Sequence, residues 1–185
     1  MGCDEAVLLC DRALGGSDTW STALALASAV RRVGDVDLVI CGDHSLDGDT
    51  GQVGPEMAEL LGIHQATYAI GLAVEGRCLR VRRLLTGAVE TVEVPLPALV
   101  TVLKDIGKPR RPGLRGMKAA RQATIPSWGL AELGLREEEV GLYGSPTRVV
   151  DLRTPPARAG TQKFHLDAED AAAKIAELLI QESVG

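Results

Sequence analysis

A chain of 185 residues, 45% apolar and 24% charged, is long enough for one domain with a real core and has the balance of an ordinary globular protein. A net charge of −5 and only 3% aromatic residues leave neither the basic footprint nor the base-stacking platforms of a nucleic-acid binder. No apolar run approaches the ~20 residues of a membrane helix, and the start MGCDEAVLLCD lacks the basic, then long apolar, profile of a signal peptide.

In chain order, EAVLLC (5–10) reads as a buried strand. Gly15, Gly16, Ser17 and Asp18 mark a loop and a helix cap. Trp20, Ala23, Leu24, Ala27 and Val30 then recur at helical spacing up to Val33. Arg31 and Arg32 suit the last turn, and Gly34 stops it. DLVIC (37–41) is a second buried strand. A helix follows over 52–61, with Pro55 in its first turn and Gly62 at its end. Residues 66–74 form a third strand. The alternation in RCLRVRRLL and AVETVEV predicts a half-solvated antiparallel ribbon over 77–94, its arginines facing Glu90 and Glu93. ALVTVL (98–103) is again a buried strand. KDIGKPRRPGLRGMKAARQATIP (104–126), dense in Pro, Gly and basic residues, cannot be a core element. One helical turn is expected at 129–135 and a short extended piece at 147–152. A linker, TPPARAG, precedes an amphipathic helix capped by Asp167.

Strands alternating with helices predict an α/β, Rossmann-like, mainly parallel sheet with an antiparallel ribbon, followed by an extended C-terminal arm and helix. Strands near 6–10, 37–41, 66–73 and 98–103 are expected parallel in one sheet. The chain opens directly on a strand, with Met1 tight against it as an internal methionine would be. A bare sheet edge is therefore expected beside 6–10, open to pairing with another chain. Cys3, Cys10, Cys41 and Cys78 stand singly and the histidines are scattered, so no metal site is expected. Cys10 and Cys41 read as small core residues. A reduced, cytoplasmic setting is the default.

The acidic loop DGDTGQVG allows three readings. As a calcium loop it places Gly51 at the fifth position and Ala58 at the twelfth, where a bidentate Glu is needed. As a turn it caps a helix. As an anion cradle it follows a parallel strand and feeds a helix N-terminus, where free amides and the dipole favour phosphate. Gly51 and Gly54 would then allow close approach, with Thr50 and Gln52 as side-chain donors.

CGDHSLDGDTGQVGPEMAELLGIHQATY, then PRRPGLRGMKAARQATIPSWGLAELGL and GSPTRVV, resemble in order the β subunit of electron transfer flavoproteins, over essentially the whole chain. The resemblance implies that Asp47, Asp49, Thr50, Gly51, Gln52 and Val53 bind a nucleotide. Ordinary members hold AMP there; bifurcating members hold a second FAD on a loop similar to this one, so FAD is expected, with AMP as the alternative. PRRPGLRGMKAAR resembles the family's recognition loop, with Leu114 filling an apolar pocket on an acyl-CoA dehydrogenase-type flavoenzyme and Arg110, Arg111 and Arg115 around it. An exposed aliphatic anchor among cations suits such a role; a basic surface loop whose Leu114 folds back is the alternative.

The implied function is that of an electron carrier, not an enzyme, with no catalytic residue and with an α subunit as partner. Flavin-based bifurcation is one form of that role, and an AMP-holding structural subunit without a redox cofactor of its own is the other reading. Residues 1–150 would be the nucleotide-binding domain, and 151–185 a linker and helix packing on the partner subunit. The chain departs from the family pattern in two places. It lacks the family's N-terminal βαβα stretch, and it has Asp43-His44 where a basic residue and glutamine are usual.

Overall fold

The computed structural model describes residues 1–154 and 163–183. It divides into two compact units, Met1–Arg148 and Val149–Gly185. The first unit opens with β1 (Leu8–Leu9) and then α1 (Thr19–Val33). Asp18 caps α1 by accepting the Ser21 N–H at 3.1 Å. Gly34 ends it at φ 71, its N–H donated to the Val30 carbonyl. Strand β2 (Leu38–Gly42) leads through an acidic loop into α2 (Val53–Leu61). Gly62, left-handed at φ 67, closes α2 and lets the Ile63 N–H return to the Ala58 carbonyl at 3.1 Å, as the glycine stop predicts.

Next come β3 (His64–Glu75), β4 (Cys78–Leu85), β5 (Ala88–Pro95) and β6 (Ala98–Val102). Among the described residues the main sheet has five strands in the order β2-β6-β3-β4-β5. It is mixed: β2 and β3 flank β6 in parallel, whereas β3–β4 and β4–β5 are antiparallel. The long β3 serves both halves. Its first part runs with β6 and its second part folds against β4, with register breaks between Ala66 and Ala69 and between Ala69 and Gly71. On the ribbon, Arg80 contacts Glu75 at 2.7 Å and Glu93 at 3.7 Å, and Arg83 contacts Glu90 at 3.5 Å. The alternating arginines are thus a paired strand face.

Two apolar clusters hold the unit together. Small residues on α1 and α2, Ala23 and Ala58, let both helices approach Leu99 with Met57 between them. On the ribbon side Leu79, Val81 and Val94 meet Ala66, Ala69, Ala98 and Val100. Each large aliphatic side chain buried here contributes about 1.5–3 kcal/mol.

The expected strand at 6–10 is a correction. Only Leu8–Leu9 is strand, and it pairs in parallel with β7 (Ser127–Trp128), outside the main sheet. The bonds are Leu8 N–H to the Pro126 carbonyl at 2.9 Å and Cys10 N–H to the Trp128 carbonyl at 3.0 Å. With Val7 and Leu8 exposed, this run has no apolar sheet face to bury. The edge strand on the parallel side of the sheet is instead β2, and Cys10 is exposed rather than a core residue. Cys41 is partly buried against the α1–α2 cluster, and that burial pushes its thiol pKa up.

The basic stretch is also more ordered than its composition implies. It carries α3 (Leu114–Gln122), every residue of which is exposed. Short helices α4 (Leu130–Leu133) and α5 (Gly141–Gly144) follow. Residues 147–152 form no strand. In the second unit α6 (Ala168–Ser183) is capped by Asp167, which accepts the N–H groups of Glu169 and Asp170 at 3.1 and 3.0 Å. Most of the linker TPPARAG lies outside the described residues.

Candidate functional site

The loop between β2 and α2 leaves the carboxyl end of a parallel strand, the edge where open α/β sheets meet ligands. Its carboxylates are turned on the loop itself. His44 Nδ1 lies 2.6 Å from Asp43 Oδ2, and its Nε2 lies 3.6 Å from Asp49 Oδ1. Asp47 accepts the Gly48 N–H at 2.8 Å. The Ser45 hydroxyl and that N–H hold the Asp47 carboxyl below the usual carboxylate range. The Asp49 N–H returns to the Ser45 carbonyl at 3.1 Å. Two residues are left-handed, Asp49 at φ 50 and Gly51 at φ 64. A Cβ on Gly51 would lie 3.3 Å from the Asp43 carbonyl oxygen and 3.5 Å from the Tyr68 hydroxyl.

Helix α2 starts without a side-chain cap. Gln52 stands at the cap position in helical conformation, its N–H only 3.5 Å from Thr50 Oγ1. The N–H groups of Gly51, Val53 and Gly54 find no acceptor among the described residues. Pro55 has none to satisfy. Gly54 allows α2 to lie on the sheet, since a Cβ there would come within 2.5 Å of the Thr101 methyl.

The structure therefore brings Asp49, Thr50, Gly51, Gln52 and Val53 together at one helix start, with Asp47 in the turn before it. Residues outside the motif join them. The Thr19 hydroxyl, at the start of α1, donates to Glu56 Oε1 at 3.1 Å and lies 3.5 Å from Gln52 Oε1. Glu56 Oε2 is buried without a hydrogen-bond partner among the described residues. Tyr68 reaches over Gly51 from β3. The meeting of α1 and α2 could have been inferred, because both helices precede or follow strands at one sheet edge. Tyr68 had no signal in the sequence.

Among the described residues no group of three His, Cys, Asp or Glu side chains is placed to hold a metal ion. None of their helices is long and apolar enough to cross a membrane. A cavity of about 730 Å³ lies elsewhere, between residues 1–7, Trp128 and the inner side of α3, and no residue of the acidic loop lines it.

A second surface is α3. Leu114, its first residue, is 83% exposed, and Met117 one turn on is 40% exposed. Nothing approaches a Cβ position on Gly113 or Gly116 within 4 Å. Arg110, Arg111 and Arg115 are exposed and make no ion pair among the described residues, although the Arg110 guanidinium lies against Gly2. Leu114 does not fold back.

Residues 1–133 match the family model described as the electron transfer flavoprotein domain. The chain is 42% identical over 166 residues to the electron transfer flavoprotein subunit beta of Megasphaera elsdenii, covering 86% of this chain and 62% of that one. It is 41% identical to the caffeyl-CoA reductase-Etf complex subunit CarD of Acetobacterium woodii, covering 86% of this chain and 61% of that one. It is 39% identical to the electron transfer flavoprotein subunit beta of Thermoanaerobacterium thermosaccharolyticum, covering 97% of this chain and 69% of that one. The chain thus spans somewhat over three-fifths of the length of these relatives.

Proposed function

We propose, for a chain that belongs to the electron transfer flavoprotein family, that it acts as the β-type subunit of a flavoprotein heterodimer and holds an adenine-containing nucleotide, FAD by preference, on its acidic loop. The observation that carries this reading is the open start of α2: unsatisfied N–H groups at Gly51, Val53 and Gly54, a bare left-handed glycine, and no side-chain cap. Such a helix start suits a phosphate by hydrogen bonding and by dipole. Thr50 and Gln52 would add side-chain donors. Asp49, held near His44, would accept from ribose hydroxyls, and Asp47 shapes the turn before it. The carboxylates do not obstruct this role, because Asp43 and Asp47 already have partners in the loop.

A bound flavin supplies the redox step; the residues of this chain bind and orient it and perform no bond chemistry of their own. For the docking partner we propose an acyl-CoA dehydrogenase- or reductase-type flavoenzyme, in keeping with the caffeyl-CoA reductase complex named for one relative. Leu114 would be its anchor, and Arg110, Arg111 and Arg115 the steering charge. On α6, Ile175 and Leu179 are 59% and 65% exposed at helical spacing, and we propose that face as the contact with the α subunit. All four cysteines are unpaired, which fits a reducing, cytoplasmic setting.

Purification together with an α-type subunit tests the reading. Visible flavin absorbance above that of the α subunit alone is the expected result. Released AMP without additional flavin would give the structural-subunit reading, and neither nucleotide would overturn both.

A further inference from the structure

Tyr68 is a bulky residue at φ 57, in the left-handed region that few non-glycine residues occupy. It lies where β3 breaks register with β6. Its N–H leaves the strand ladder and is donated to Thr101 Oγ1 at 3.0 Å. Thr101 is 2% exposed, and its methyl is the group that a Cβ on Gly54 would strike. One buried threonine thus meets both the first turn of α2 and the irregular point of β3.

The irregularity re-aims the Tyr68 side chain. Its hydroxyl stands 3.5 Å from the empty Cβ position of Gly51, the residue whose N–H is open. The side chain remains 42% exposed, so core burial does not account for the strain. The hydroxyl has no hydrogen-bond partner among the described residues. A phenol is a donor that a phosphate oxygen can use.

We infer that Tyr68 is a phosphate-contacting residue of the loop site, its hydroxyl joining the open amides of Gly51 and Val53, and that Thr101 is the positioning residue that holds it there. The inference rests on the nucleotide-site reading above. AMP, the moiety shared by the two candidate nucleotides, and adenosine, which lacks the phosphate, are the probes, titrated calorimetrically into the full chain. Tyr68→Phe keeps the ring and the backbone and removes only the donor. It should bind AMP roughly tenfold more weakly, as for one lost hydrogen bond to a charged group, with adenosine affinity unchanged. Thr101→Val should produce the same selective loss, and Thr101→Ser, which restores the hydroxyl, should not. Equal AMP affinity in wild type and Tyr68→Phe, or a parallel loss of adenosine, overturns the inference while leaving the nucleotide site standing. A wild-type chain that binds neither probe overturns both.

Discussion

Helices α1 and α2 begin side by side, yet their first turns are treated in opposite ways. The start of α1 is capped by a side chain of the protein itself, although the Thr19 and Trp20 N–H groups find no acceptor among the described residues. Asp18 accepts from the Ser21 N–H and, through its other oxygen, from the Thr147 N–H at 2.9 Å and hydroxyl at 2.8 Å. Its own N–H is donated to Ser145 Oγ at 2.8 Å. The start of α2 has Gln52 in place of a cap, a left-handed glycine before it, and open amides. Both turns carry the same dipole, so the dipole does not distinguish them. What differs is whether the chain spends its own oxygen atoms there. A start capped by its own side chain helps hold the fold together, and an uncapped one is free for a ligand.

Gly51→Val should have the largest effect at the α2 end. A β-branched residue at φ 64 carries a left-handed strain of roughly 1–2 kcal/mol. It would also fill the space between the Asp43 carbonyl and the Tyr68 hydroxyl. Nucleotide retained through gel filtration with the α subunit should fall more than tenfold, while the α1 end is untouched. Retention equal to wild type removes this loop from the site.

An exposed helix start need not be a ligand site, and α3 offers a different surface. Its cap position, Gly113, also has no side-chain bond, but an aliphatic residue stands next in the chain, surrounded by cations. If Leu114 anchors a partner, Leu114→Ala should lose part of the ~1.5–3 kcal/mol of burying that side chain. Stopped-flow electron transfer to the cognate dehydrogenase at sub-saturating concentration should slow, with flavin content unchanged. Neutralising Arg110 and Arg111 should instead lower the association rate and flatten its salt dependence. A wild-type rate for Leu114→Ala would leave α3 as a plain basic surface.

At the closed end, Asp18→Ala should cost about 1 kcal/mol of stability, the usual worth of a cap, and leave nucleotide binding alone. Burial pushes the Asp18 carboxyl up, but hydrogen bonds from Ser21, Thr147 and Ser145 outweigh it and hold the pKa below the ordinary carboxylate value. A depressed carboxylate pKa stabilises the fold above the unfolded value, and that contribution disappears as pH falls through the folded one. Denaturant titrations should therefore show Asp18→Asn approaching wild-type stability in acid and falling short of it near neutrality. A constant difference at all pH values would contradict the depressed carboxylate pKa.

Much of this contrast was legible in the residues. The apolar run 37–41, the acidic loop and the Gly62 stop defined β2, the loop and α2, and Asp18 with Gly34 bounded α1. Two features were not legible, for physical reasons. The pairing of Leu8–Leu9 with Ser127–Trp128 needs no periodic apolar face, so no pattern announces it. The left-handed Tyr68 donates its N–H to Thr101 on another strand, and local sequence carries no trace of that pairing. Helix α3 is a different case, because its signals were present. Pro109 and Pro112 precede it, Pro126 follows it, and Arg115, Met117, Lys118, Ala119, Ala120 and Arg121 favour a helix between them. Read as a single Pro- and Gly-rich stretch, the segment hid its helical half.

The smallest expected effect belongs to Gln52, the residue that distinguishes the open end from the closed one. Its Oε1 lies at the limit of hydrogen bonding from Thr19 Oγ1, 3.5 Å, and Thr19 has a better acceptor in Glu56 at 3.1 Å. Removing the side chain should therefore cost the fold little, and thermal melting of Gln52→Ala should match wild type. The side-chain amide nitrogen of Gln52, Nε2, makes no hydrogen bond among the described residues, which leaves it available to a ligand. Losing one such neutral donor should weaken nucleotide binding by roughly 1 kcal/mol. Gln52→Glu should do more than Gln52→Ala, because it removes the donor and sets a carboxylate where the anion is expected. Gln52→Asp adds a second arm, since aspartate is a strong N-cap and, once residue 52 turns from its helical conformation to an extended one, can accept from the N–H of Gly54. That variant should melt higher and bind nucleotide worst of the three. If it melts higher and binds as well as wild type, the open amides of α2 are not where the phosphate sits.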